Sequence, residues 1–138
     1  MLVGLFSIFE HAIDFRMNNY SYVGKVPTVS DLTMLKYTDE KEGTKKVEII
    51  QNASHKWKDI AAIILDGANR IELLEERYHN AIDCLRQTFV EGFIDNKPKK
   101  FSQDWKGLIE LLKDVKLGTL ADNVLKALLN PQPSTATS

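Results

Sequence analysis

Between residues 44 and 129, apolar side chains return at steps of three and four, and this rhythm allows little except short helices packed on one another. No alternation of apolar and polar residues is long enough to read as a strand. Val47, Ile49, Ile50 and Ala53 outline a first helix. Trp57, Ile60, Ala61, Ile64 and Leu65 outline a second, with Ser54 placed to cap it and Gly67 to stop it. Asn69 and Glu72 have capping-box spacing at the head of a third, whose inward stripe is Ile71, Leu74 and Tyr78. A fourth carries Ile82, Leu85, Phe89 and Phe93 on one face and ends near Asp95. Ser102 is placed to cap a fifth, in which Trp105, Leu108, Ile109, Leu112 and Val115 face inward. Gly118 and Thr119 open a sixth, with Leu120, Ala121, Val124, Leu125 and Leu128 as its stripe. Short connections between such helices favour antiparallel neighbours. The expected class is all-α, a six-helix antiparallel bundle with an extra N-terminal helical segment.

The flanks divide the chain into an amphipathic segment and linker over 1–25, a domain over 26–129 and a disordered tail over 130–138. In the first, Leu2, Leu5, Phe6, Phe9, Ile13 and Met17 fall on one helical face, and Asn18 to Lys25 reads as linker. Uncharged residues run only from Met1 to Phe9, far short of the roughly 20 that span a bilayer. No basic leader precedes Leu2, so the segment does not read as an export signal and the expected location is the cytoplasm. Asn19-Tyr20-Ser21 and Asn52-Ala53-Ser54 accordingly read as chance matches to the glycosylation pattern. Val26 to Val29 is expected to be extended around Pro27. Residues 38–46, TDEKEGTKK, read as a solvated charged loop.

Charge and chemistry narrow the functional classes. With 18 basic and 19 acidic residues, the chain lacks the basic surplus of a dedicated nucleic-acid binder. Cys84 is the only cysteine, so no disulfide forms within the chain, and its place in the fourth helix reads as a small buried thiol. His11, His55 and His79 share no ligand spacing with Cys84, so no metal site is expected. Phosphate-binding glycine loops and nucleophile elbows are absent, and the sequence implies neither a cofactor nor an enzyme. The adjacent carboxylates Glu75-Glu76 and Asp39-Glu40 read as solvated surface, since neighbours on a helix point in different directions.

Three segments resemble the death domain family. His55-Lys56-Trp57-Lys58-Asp59-Ile60-Ala61 looks like the family's second helix, and Ile71-Glu72-Leu73-Leu74-Glu75-Glu76-Arg77-Tyr78 is similar to its third. Trp105-Lys106-Gly107-Leu108-Ile109-Glu110-Leu111-Leu112, continuing through Leu117 to Leu120-Ala121, resembles the fifth helix, short turn and sixth helix. Pro27-Thr28-Val29-Ser30-Asp31-Leu32 looks like a stretch that precedes such domains in simple animals. The chain departs from the pattern at Gly92-Phe93, where many members carry a third tryptophan. The resemblance implies a death-fold bundle anchored on Trp57 and Trp105. Replacing either by alanine is expected to cost about 3–5 kcal/mol.

Surface charge gives the resemblance its functional content. The third helix carries Glu72, Glu75 and Glu76 between Arg70 and Arg77, while the connection after the fourth helix carries Lys97, Lys99 and Lys100. Opposite patches on one small domain suit head-to-tail docking, which can propagate into open helical assemblies. The resemblance implies three asymmetric contacts. In these, the second and third helices meet the first and fourth, the fourth helix and its following loop meet the fifth-to-sixth turn, and the third helix meets neighbouring loops. It places Lys58, Arg70, Glu72, Glu75, Glu76, Arg86, Lys97, Lys99, Asp114 and Lys116 on those protein-binding surfaces. The implied protein is a non-enzymatic adaptor of apoptotic or innate-immune signalling, with other death domains as partners and higher-order oligomers as products. A second reading is a helical regulatory or scaffold domain without a homotypic partner, held at a membrane by residues 1–17. Lys97-Pro98-Lys99-Lys100 also has the composition of a nuclear import signal.

Overall fold

Both tryptophans stand at the first position of a helix and are buried in the core there. The computed structural model describes residues 24–67 and 69–129; the expectations for 1–23 and for the tail over 130–138 lie outside the described residues. In chain order the elements are α1 (Val29–Thr33), β1 (Leu35–Asp39), β2 (Gly43–Val47), α2 (Ile49–Ala53), α3 (Trp57–Ile64), α4 (Asn69–Arg77), α5 (Ala81–Phe89), α6 (Trp105–Asp114) and α7 (Gly118–Leu129). A 3-10 turn, Ser54–Lys56, joins α2 to α3, and a π-helical turn, Val90–Ile94, extends α5. The described chain is thus mostly helical, and each of the six segments with helical rhythm between 44 and 129 contains a helix.

The expected stripes are largely the ones that bury. Ile60, Leu85, Phe89, Phe93, Leu108, Leu112, Ala121 and Val124 are all sealed from solvent, in one continuous core with Trp57 and Trp105. Leu111 joins them, so α6 buries a wider arc than its expected stripe. Ile82 does not; at 37% exposed it lies outside the core. The main helix pairings are α3 with α5 and α6 with α7.

The expected loop over 38–46 is instead the end of a β-hairpin. β1 and β2 pair antiparallel, with Leu35 opposite Val47, Lys36 opposite Lys46, Tyr37 opposite Lys45 and Thr38 opposite Thr44. Tyr37 and Val47 are buried on the inner face, which packs on α7. Val47 therefore ends a strand instead of opening the first helix. The Asp39 carboxylate closes the turn, with Oδ1 accepting the N–H of Lys41 at 2.8 Å and of Glu42 at 3.2 Å. Gly43 completes it with a φ of +83°, a value that favours glycine.

Cap positions also differ from expectation. Thr28 opens α1 with a capping box, its hydroxyl accepting the Asp31 N–H while Asp31 accepts the Thr28 N–H. The extended expectation for Val26–Val29 consequently holds at Thr28 but not at Val29, which is already helical. Ser54 does not cap α3; its hydroxyl donates back to the Gln51 carbonyl at 3.0 Å. Asn69 is the first residue of α4, inside the helix and not its cap. Asp104, not Ser102, caps α6: its Oδ1 accepts the Gly107 N–H at 2.9 Å, and the Ser102 hydroxyl donates to that same oxygen at 2.7 Å.

In the π-helical turn, Gly92 and Phe93 have separate tasks. Phe93 is fully buried and meets Phe89 edge to face, with centroids 6.5 Å apart. A Cβ on Gly92 would stand 2.8 Å from the Ile64 carbonyl oxygen, so the absent side chain is what lets the π-helical turn lie on the end of α3. The Gln103 amide then donates to the carbonyls of Phe93 (2.7 Å) and Ile94 (2.9 Å), fixing the following loop against that turn.

Candidate functional site

The charged residues singled out by the sequence gather mainly around α4. Its inner side presents Leu74 to the core, and its exposed side carries Glu72, Leu73 and Glu76. Adjacent carboxylates part as expected. Glu75 reaches across to Lys58 on α3 at 2.7 Å, and that hydrogen bond raises the Lys58 ammonium above the ordinary lysine value. Glu76 instead lines a hollow of about 310 Å³ between α4 and α5, together with Leu73, Arg77, Tyr78 and Gln87.

Arg70 forms the divide between that hollow and a second one. Its guanidinium pairs with Glu91 on the π-helical turn, and the Gln87 amide donates to the other Glu91 oxygen at 3.1 Å. On the far side lies a hollow of about 430 Å³ lined in part by Asp66, Asn96, Lys97 and Lys99. The structure therefore brings Arg70, Glu76, Lys97 and Lys99 to one stretch of surface. Lys99 is held by Asp66 at 2.9 Å.

Three other expected residues lie apart from it. Arg86 pairs with Asp83 of its own helix at 2.6 Å. Asp114, at the end of α6, receives Lys100 at 3.3 Å. Lys116 follows in the left-handed region, with φ of +66°, and both it and Asp114 border a third hollow with Lys56 and Asp59. Glu91 and Asp66 were missed from the sequence because their ion-pair partners, Arg70 and Lys99, lie far along the chain, and Gln87 because its i,i+4 contact with Glu91 matters only once Glu91 is placed. The signal that could have pointed to Glu91 is Gly92 beside it, a small residue inside a helical pattern.

These ion pairs leave the surface adaptable. Exposed pairs contribute between nothing and about 1 kcal/mol each, so a partner's charge can replace an internal one at small cost. Cys84 is different in kind. It is 2% exposed, its thiol donates to the carbonyls of Tyr78 and Leu74 at 3.5 and 3.6 Å, and burial pushes it above the usual thiol value. That environment stabilises a protonated thiol, not a nucleophile. Among the described residues, no helix is long and apolar enough to cross a membrane. No protein-family model, curated protein or solved structure matches the chain.

Proposed function

We propose that the chain is a non-enzymatic docking module of the death-fold type, a six-helix antiparallel bundle that joins signalling partners through its charged surface. It acts by raising the local concentration of what it binds, in signalling of the apoptotic or innate-immune type. One observation carries the reading. The two residues on which the resemblance anchors the bundle, Trp57 and Trp105, are buried, and none of those it assigns to docking is. In this reading α4 presents its acidic side to a partner, while Arg70, Lys97 and Lys99 supply a basic surface beside it.

The test is capture of purified death domains from a panel by the full chain. Reversing Glu75 and Glu76 together to lysine removes capture and leaves the helical circular dichroism spectrum unchanged. Capture that survives the double reversal would count against α4 as the docking surface.

A further inference from the structure

The outer face of the hairpin is one-signed. Lys36 and Lys46 are directly opposed across the ladder, and beside them Thr38 opposes Thr44; all four are exposed. Opposed cross-strand side chains stand about 4.5–5.5 Å apart, and like charges in that position are destabilising. Among the described residues, neither lysine has an ion-pair partner, and Glu48, the next residue beyond β2, pairs with neither. A folding unit gains nothing from such a pair by itself.

The complementary arrangement occurs on the same chain. On α4, Glu72 and Glu76 are four residues apart, which sets their Cβ atoms about 5–6 Å from each other on one side of the helix. Both are exposed and neither makes an ion pair among the described residues. Leu73, 50% exposed, lies on that same side and is the most open large apolar side chain described. Two carboxylates spaced to meet two ammonium groups, with a leucine set to meet the methyl groups of paired threonines, form a matched set. The hairpin packs on α7, whereas α4 packs on α3 and α5, so the two faces are carried by separate parts of the fold.

We infer that the hairpin face Lys36–Thr38–Thr44–Lys46 of one copy docks on the Glu72–Leu73–Glu76 face of α4 in a second copy. The contact uses different surfaces on the two copies, so the first copy keeps its α4 face free and the second its hairpin face, and the assembly grows end to end. This rests on the docking reading above and extends it by naming a surface, the hairpin, that the six-helix resemblance does not contain.

Light scattering of the full chain over a concentration series tests it, with circular dichroism as the folding control. The wild-type mass rises with concentration and falls back as salt is added, because the contact is between exposed charges. Lys36→Glu with Lys46→Glu weakens association at least about ten-fold, and Glu72→Lys with Glu76→Lys does the same, since each places like charges face to face. Mixing the two double variants restores association, because each supplies the face that the other lacks. Unchanged association in the hairpin variant overturns the inference and leaves docking through α4 standing. Failure of the mixture to recover overturns the pairing of these two faces. A wild-type chain that stays monomeric throughout overturns self-docking, and capture of other death domains then remains as the separate test of the broader reading.

Discussion

Gly107 lies so close to Ser102 that a Cβ built on it would fall 1.8 Å from the Ser102 carbonyl oxygen. The contact follows from the Asp104 cap, which folds the incoming chain over the first turn of α6 and leaves no room for a side chain at the third helical position. In an open helix, exchanging glycine for alanine stabilises by about 1 kcal/mol. Here the sign reverses. Gly107→Ala is expected to destabilise by about 3 kcal/mol, since backbone and not a flexible side chain has to move. Gly118→Ala is the control: nothing lies within 4 Å of its added Cβ, so urea denaturation should show equal or slightly greater stability than wild type.

Lys116 occupies a conformation better suited to glycine. α6 ends with the Leu117 N–H bonded to the Leu112 carbonyl at 2.8 Å and the Lys116 N–H to the Lys113 carbonyl at 3.1 Å, the double closure that requires a left-handed residue. Lys116→Gly should therefore stabilise the chain by about 1 kcal/mol, read as a raised denaturation midpoint with an unchanged slope. If Lys116 also serves in docking, partner capture weakens while stability rises, so the two measurements separate the roles.

Asp39 makes the hairpin sensitive to acid. The Lys41 N–H, and secondarily that of Glu42, hold its carboxyl below the ordinary aspartate value. A depressed folded value means that the ionised form is favoured by folding. The stabilisation is present above the unfolded value and is lost as pH falls through the folded one. A carbon-detected titration of the Asp39 carboxyl should give a midpoint below that of an unstructured aspartate. In Asp39→Asn the corresponding acid-dependent loss of hairpin signals should disappear.

The helices were legible because their signal is long. Leu108, Ile109, Leu112 and Val115 repeat one instruction over several turns, and the packing obeys it. The hairpin was hidden because its strands have five residues each and bury only Tyr37 and Val47, too few to stand out as an alternation. Its turn was nevertheless written in the sequence, as an aspartate four positions before a glycine, and the charges between them disguised it as a plain loop. Of the surface, the sequence showed which charges stand outside but not which of them meet. Lys58 with Glu75 and Arg70 with Glu91 join different elements, and only the path of the chain decides such encounters. The need for glycine at 107 has the same origin, since the obstacle is a carbonyl delivered by a bend five residues earlier.

Because the hairpin packs on α7, an early part of the described chain waits for a late one. A ribosome releases residues 35–47 long before residues 118–129 have been made, and during that interval Tyr37 and Val47 have no seat. A pairing between such distant stretches is slow to form and is completed late. The emerging chain thus leaves the apolar face of the hairpin, Tyr37 and Val47, uncovered by α7 until that helix arrives. In that interval a holdase chaperone has the most to protect, and synthesis speed through α7 bears on yield.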